Sequence, residues 1–318
     1  MSVYTKITSD EVSKYLEDYS IGLFESLEGI SDGIENTNYI LKTSKGEYIF
    51  TIFENIDTNK VIQYLKLMNF LNASNFKCAK VHNRKDNQLC GTLQNKPAAI
   101  IEKLSGSSIS DVNENQCAEV GGLLANFHIL GDGFEDSLKD SRGLTWRKDA
   151  YTKLKKVLLP DEKQLIEDAL VVQQEFNDFA LPKGIIHADL FHDNIFFDKN
   201  KLSGIIDFYF SCEDFFAFEI AICFNALCFD GAKENLSFNV TKAKSFIDGY
   251  SSVRKLSDAE KQSIKVLSQG AALRFLLTRV FDALNTVEGA IVKVKDPIEY
   301  LKRLEFHKNA KNHEDYFF

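Results

Sequence analysis

The 318-residue chain predicts an α+β fold of two lobes, an antiparallel β-sheet lobe over residues 1–104 and a mainly helical lobe over 105–318. Three observations predict it. Residues 23–54 form three apolar runs separated by the turns SDGIEN and SKGE, the pattern of hairpin-linked strands. KPAAIIEKLSG at 96–106 reads as a buried strand running into a connector. From Val112 the spacing turns helical, with Cys117, Val120, Gly121, Leu124 and Phe127 on one face. The length leaves room for two lobes, and 44% hydrophobic residues is an ordinary globular value.

Taken in order, SDEVSKYLEDY at 9–19 is a short amphipathic helix with Ser9 as its cap. Strands follow at 23–30, 37–43 and 47–53, then a helix over 58–73 and two short strands around 79–82 and 88–93. Gly121 and Gly122 inside the next helix each cost ~1 kcal/mol relative to Ala, which implies close approach of another backbone. His128, ending that apolar face, reads as a satisfied core histidine. SRGLTWRKD at 141–149 reads as a loop between helices. It either reaches a small-molecule pocket with Arg142 or Arg147 on a carboxylate, or lies on the surface with Trp146 anchored in the core. After a helix at 161–177, FFAFEIAICFNALCF at 215–229 is too short to span a bilayer, which takes ~20 residues, and reads as a core helix. In AALRFLLTRVFD at 271–282, Arg274 shares a face with Thr278 and Asp282, and Arg279 is placed to pair with Asp282. Arginines in so apolar a helix need acceptors, either structural carboxylates or that of a substrate. DPIEYLKRL at 296–304 is a short helix begun by Pro297, and a polar tail follows 306.

The chemistry concentrates in GIIHADLFHDNIFFDKNKLSGIIDF at 184–208. His187, Asp189, Asn194 and Asp207 have the H-x-D-x-x-x-x-N spacing followed by a strand-closing Asp that protein kinases use for phosphoryl transfer. NIFFD and LSGIID read as a hairpin about the turn near Asn200, which brings Asn194 and Asp207 to one end. Oxygen donors of this kind suit Mg²⁺ and substrate phosphates, with Asp189 beside them to take a proton from a hydroxyl. The alternative is a polar loop beside an ordinary hairpin. Phe208-Tyr209 follows Asp207 where a kinase has Phe-Gly, and no APE segment follows, which favours a small-molecule acceptor.

Further candidates follow from the kinase comparison. Ile101, Glu102 and Leu104 stand where main-chain groups hold adenine. GISDGIENTNY, with Gly33 and Asn36, stands where a phosphate-covering loop lies, but its Asp32 and Glu35 would repel a triphosphate. Either of those carboxylates faces an acceptor amine, or the turn is simply solvated. Thr51 occupies the usual lysine position on the third strand, and 58–73 holds no Glu to pair with one. Lys42, backbone amides or the metal must then hold the phosphates. Glu219, among apolar residues, requires a partner, for which His187 or the backbone around it is the candidate. A net charge of −8 without a basic cluster argues against nucleic acid or an anionic membrane. Six Cys without C-x-x-C spacing read as reduced core thiols of a cytoplasmic protein, and MSVYTKITSDEV lacks a signal-peptide pattern.

GIENTNY, YIFTIFE, KPAAIIEKLSG, GIIHADLFHDNIFF, IIDFYFSCEDFFAFEIAICFNALCFD, AALRFLLTRVFD and DPIEYLKRL together resemble the kinase-like homoserine kinases of the aminoglycoside-phosphotransferase-like, protein-kinase-like fold. The resemblance runs from about residue 2 to 307. It implies ATP and Mg²⁺, L-homoserine as acceptor and O-phospho-L-homoserine as product on the way to threonine. It implies Asp189 as the base, Asn194 and Asp207 as metal ligands, and Thr51 as a family trait. Glu219 stands where the family more often has Asp, and His192 where relatives often have Pro. Two other readings remain: another hydroxyl acceptor (choline, ethanolamine, a sugar or an aminoglycoside), or a pseudokinase nucleotide-binding module. The second is prompted by the absent Lys–Glu pair and opposed by the retained Asp189, Asn194 and Asp207.

Overall fold

The computed structural model of the chain describes residues 5–30, 35–176, 181–232, 235–284 and 296–317. They divide into two compact units. The first comprises the described residues up to Ser105 together with Gly204–Tyr209, and the second holds the rest.

The first unit is a six-stranded antiparallel sheet of β1 (Phe24–Gly29), β2 (Thr37–Thr43), β3 (Gly46–Ile52), β4 (Val81–His82), β5 (Gly91–Leu93) and β6 (Lys96–Glu102), in the order β1-β2-β3-β6-β4 with β5 also on β6. Helix α1 (Ser9–Leu16) is capped by Thr8 and not Ser9. Thr8 Oγ1 accepts from Glu11 N while Glu11 returns a bond to Thr8 N, a reciprocal box that needs the acid three residues on from the cap. Val12, Tyr15 and Leu16 of that helix pack with Tyr39, Leu41, Phe50 and Ile52 of the sheet in one apolar core. Helix α2 (Thr58–Ala73) is capped by Asp57, whose carboxylate accepts from Asn59 N. The segment 204–209 belongs to this unit because Ile205 N donates to Lys77 O at 3.1 Å and Ile205 bridges Cys78. A Cβ on Gly204 would stand 2.9 Å from Lys77 O, so only glycine allows that approach.

The second unit is helical around short ribbons. Strand β7 (Ser107–Ser108) pairs with β9 (Ile195–Asp198), while β8 (Lys183–Ile186) pairs with β11 (Cys212–Phe215). Between β9 and β10 (Lys201–Ile205), Lys199 and Asn200 both have positive φ (50° and 65°), the geometry of a tight two-residue hairpin turn. The helices are α3 (Glu114–Gly131), α4 (Leu144–Leu154), α5 (Pro160–Glu175), α6 (Phe216–Leu227), α7 (Val240–Val253), α8 (Asp258–Leu284), α9 (Ile298–Asn309) and the short α10 (Glu314–Phe317). Every residue of α6 is buried, as its unbroken apolar run requires. The close approach expected at Gly121 is to α7: a Cβ there would lie 2.1 Å from Phe246 O. One expectation fails at 141–149. Residues from Leu144 are helical and Trp146 sits in the first turn of α4, capped by Gly143. The Gly and Arg that read as loop are only the helix entrance.

Candidate active site

Strand β8 delivers the HxD segment and its partner β11 leads straight into α6, so the start of α6 returns to the loop that leaves β8. Glu219, in the first turn of α6, is wholly buried and accepts from the backbone N–H of His187 and of Ala188, each at 2.7 Å. The partner the sequence demanded is therefore the loop backbone. Ala188 has φ of 65°, a conformation that costs roughly 1–2 kcal/mol for a residue with a Cβ. Glu219 holds it there. Glu219 Oε2 also lies 3.2 Å from His128 Nε2, and His128 Nδ1 is 2.8 Å from the Tyr250 hydroxyl. Burial pushes the His128 imidazole below its ordinary pKa, so the ring is neutral near pH 7. A neutral ring facing a carboxylate carries its proton on Nε2, leaving Nδ1 to accept from Tyr250.

Beyond this anchor, His187 is fully buried and its Nδ1 accepts from Asp189 N at 3.3 Å. It shapes the loop through the backbone. Asn194 closes the loop: its Nδ2 donates to Asp189 O at 2.8 Å and to Asp189 Oδ2 at 3.2 Å. With the amide's donors turned to Asp189, its carbonyl oxygen points elsewhere, the orientation a metal ligand needs. Among the described residues no cluster of three or more His, Cys, Asp or Glu is built to hold a metal. The donors available here are hard oxygens, an amide and carboxylates, and fit magnesium completed by water and phosphate oxygens.

In the first unit Asp207, two residues past the end of β10, has φ of 65°. Thr51, on β3, donates from Oγ1 to Asn38 Oδ1 at 2.7 Å. Asn36 is buried with its Oδ1 lacking a hydrogen-bond partner among the described residues, whereas Glu35 beside it is exposed. Asp32 and Gly33 lie outside the described residues. Of the three adenine-site positions, Ile101 is buried in the ladder and Glu102 N is committed to Lys80 O at 2.7 Å. Leu104 lies past the end of β6.

The three candidate arginines all belong to the second unit. Arg147, buried on α4, donates from Nε to Arg142 O at 3.1 Å and lies over the Phe218 ring. Arg142 stacks on Trp146 with 4.5 Å from guanidinium to ring centroid. Arg274 is 2% exposed, and its Nε and Nη1 have no hydrogen-bond partner among the described residues. Charged donors buried without a hydrogen bond cost the desolvation that a carboxylate would offset, and the guanidinium lies over the Phe275 ring at 5.1 Å. Half-buried Asp214 is pushed up to about 6 by burial, with Asp140 adding and Arg147 and Arg274 opposing. Burial also takes Arg147 down to about 10. Arg279, read as a partner for Asp282, is tied to α9 instead, to Glu299 at 3.0 Å and Asp296 O at 2.7 Å.

Sequence reasoning missed Tyr300. Its ring lies against the guanidinium groups of Arg279 (4.4 Å) and Arg303 (4.7 Å), and its buried hydroxyl has no hydrogen-bond partner among the described residues. Burial raises its pKa, opposed by Arg303 and Arg279, with the charge of Asp189 adding to the rise. The sole sequence signal was its place on the apolar face of EYLKRL.

Residues 26–256 match the phosphotransferase enzyme family, and the chain belongs to it. The loop that carries Asp189 and Asn194 lies within the matched range. Over 99% of its length the chain is 42% identical to the homoserine kinase of Agrobacterium fabrum (strain C58), covering 98% of that protein. The homoserine kinase of Rhizobium johnstonii is likewise 42% identical, with 99% of each chain covered. In structure the chain is similar to the amicoumacin kinase hAmiN, solved with AMP-PNP, Ca²⁺ and Ami. The TM-score is 0.70 at 16% identity, over 97% of this chain and 94% of the other, a likeness of fold alone.

Proposed function

We propose that the protein is a homoserine kinase, transferring the terminal phosphoryl group of ATP to the side-chain hydroxyl of L-homoserine to give O-phospho-L-homoserine and ADP. The observation that carries this reading is the full-length match at 42% identity to proteins named for that activity. The product places the enzyme in threonine biosynthesis. Among the described residues no helix is long and apolar enough to cross a membrane, and we place the enzyme in the cytoplasm.

Asp189 orients the acceptor hydroxyl and takes its proton as the oxygen attacks phosphorus. Asn194 steadies one carboxylate oxygen at 3.2 Å, and His187 seats the Asp189 amide. Asn194 and Asp207 hold magnesium. When bound, that ion screens the phosphate oxygens while charge moves toward the leaving ADP. Main-chain groups of the Ile101, Glu102 and Leu104 stretch that the β6 ladder leaves free, the Glu102 amide being taken by Lys80 O, receive adenine, and Gly33, Asn36 and Thr51 line the phosphate path. Homoserine is a zwitterion, so its pocket needs both signs. Arg274, whose charge acts on Arg147, takes the carboxylate together with Arg142 and Arg147, supported by the Nε and Nη1 donors of Arg274 that have no hydrogen-bond partner among the described residues. Asp32 or Glu35 takes the ammonium.

Release of ADP, measured across homoserine, choline, ethanolamine, a sugar and an aminoglycoside, tests the reading. Turnover with homoserine at least ~100-fold above the others is expected, since a site built to pair both charged ends leaves buried groups unpaired with the wrong acceptor. Strong turnover with choline and none with homoserine would remove it.

A further inference from the structure

Helix α9 turns one stripe, Tyr300, Arg303, Leu304 and His307, into the second unit. At the C-terminal end of that stripe the fold satisfies a buried polar group completely. His307 lies 3.0 Å from the Tyr316 hydroxyl through Nδ1 and 3.0 Å from Asn225 Oδ1 through Nε2. At the N-terminal end it does not. The Tyr300 hydroxyl and Arg303 Nε are buried with no hydrogen-bond partner among the described residues. A buried polar group left unpaired is costly and rare, so its place in a helix otherwise well satisfied marks a partner that the fold does not supply. Charge says what kind. Arg279 and Arg303 share the one carboxylate of Glu299, at 3.0 and 3.5 Å, while both guanidinium groups lie against the Tyr300 ring. Two cations on a single carboxylate leave a positive surplus around the phenol, which favours an anion on its hydroxyl.

The ring also stands beside the catalytic loop. Tyr300 packs on Phe275 with 5.6 Å between centroids, and Phe275 meets Phe191 edge-on at 4.7 Å and 76°. Phe191 N in turn donates to Asp189 O at 3.0 Å. Arg274, whose Nε and Nη1 lack partners among the described residues, lies over the same Phe275 ring at 5.1 Å. We propose that Tyr300 is a specificity-determining residue of the acceptor site, its hydroxyl donating to the acceptor's carboxylate alongside Arg274. The inference rests on the homoserine reading and deepens it. A carboxylate has two oxygens with about four lone-pair positions, enough for a guanidinium and a phenol together. An amino alcohol without a carboxylate leaves the Tyr300 hydroxyl as unpaired as it is in the free chain, which is how a buried donor rejects the wrong acceptor.

Tyr300→Phe keeps the ring between its neighbours and deletes only the donor. The test measures ADP release by the full chain with L-homoserine and with 3-aminopropan-1-ol, which is homoserine with its carboxylate replaced by hydrogen. Tyr300→Phe should raise the KM for homoserine by about ten- to a hundredfold, the value of a hydrogen bond to a charged group. Its kcat should stay within about threefold, because the carboxylate takes no part in the transfer. With 3-aminopropan-1-ol, kcat/KM should stay within about twofold of wild type, so the preference for homoserine shrinks by the factor lost in KM. The urea midpoint of the ligand-free variant should equal or exceed that of wild type, since an unpaired buried hydroxyl has been removed. Equal losses on both acceptors, or an unchanged preference for homoserine, overturns the assignment. A midpoint well below wild type also overturns it, because the hydroxyl would then be bonded within the fold. The wild-type chain separates this from the underlying reading. If it prefers homoserine and Tyr300→Phe keeps that preference, the role of Tyr300 alone is wrong. If it turns over 3-aminopropan-1-ol as well as homoserine, the homoserine reading falls and this inference with it.

Discussion

Replacing Glu219 by Gln changes one atom in a fully buried site and removes an arrangement that no amide can reproduce. Glu219 Oε2 accepts from His187 N and Oε1 from Ala188 N, each at 2.7 Å, and His128 Nε2 stands 3.2 Å from Oε2. All three neighbours present donors. Whichever way a glutamine amide is turned, its NH₂ faces at least one loop N–H, leaving two donors opposed. Losing a charge-assisted hydrogen bond is worth about 1.5–3 kcal/mol, and a stranded buried amide costs a similar amount, so about 3 kcal/mol of stability should disappear. A domain with 5–15 kcal/mol to spare still folds. The same loss releases Ala188 from φ of 65° and lets the Asp189 loop relax. A shift of that size in the transition state corresponds to about 100-fold in kcat, with the KM for ATP little changed because Glu219 is wholly buried. Urea unfolding and steady-state ADP release read the two effects. Glu219→Asp keeps both acceptors at a shorter reach and should recover most of kcat. A Gln variant within about 0.5 kcal/mol of wild-type stability and with wild-type kcat would refute the anchoring role.

Asp189→Asn removes the proton acceptor and should lower kcat by about a thousandfold or more while ATP binding, followed by calorimetry, stays intact; unchanged turnover would mean that the wrong residue carries the chemistry. Gly121→Ala drives a Cβ to 2.1 Å from the backbone oxygen of Phe246, which cannot yield without parting α3 from α7, and should cost about 3 kcal/mol in urea unfolding. Gly122→Ala meets Gly249 O at an ordinary 3.5 Å and should instead stabilise by up to ~1 kcal/mol; equal effects at the two sites would contradict the packing. Asp214 has a folded pKa of about 6 against an ordinary 3.8, so its protonated form is favoured in the fold. Its contribution is full below about pH 4 and is lost as pH rises through 6. Asp214→Asn should therefore gain stability relative to wild type between pH 4 and 7, on the order of 2 kcal/mol after discounting for its partial exposure. A difference in urea midpoints that is flat with pH would show that the carboxyl is not held protonated.

The sequence by itself determined the order of elements and the chemistry of the loop. Strands 37–43 and helix 58–73 coincide with their observed bounds, because apolar periodicity is a local property of the chain and burial simply obeys it. The HxDxxxxN spacing was legible for the same reason: Asn194 reaches Asp189 across five residues, within one loop. Local signals misled at edges and past 306, where a polar tail was expected but α9 runs on to Asn309 and Tyr316 and Phe317 are buried. Thr8 caps α1 in place of Ser9 because the reciprocal bond to Glu11 selects the register, and 141–149 read as loop because its polar entrance hid the first turn of α4. What only the tertiary structure decided are pairings between residues far apart in the chain. Glu219 meeting His128 across 91 positions, and Arg279 choosing Glu299 on the next helix, depend on how separate elements pack. So does the lack of a hydrogen-bond partner, among the described residues, for Nε and Nη1 of buried Arg274. Sequence can say that a charge in an apolar helix needs a partner, because desolvation is a property of the residue and its run. Which partner it finds is set by packing geometry, which no local pattern encodes.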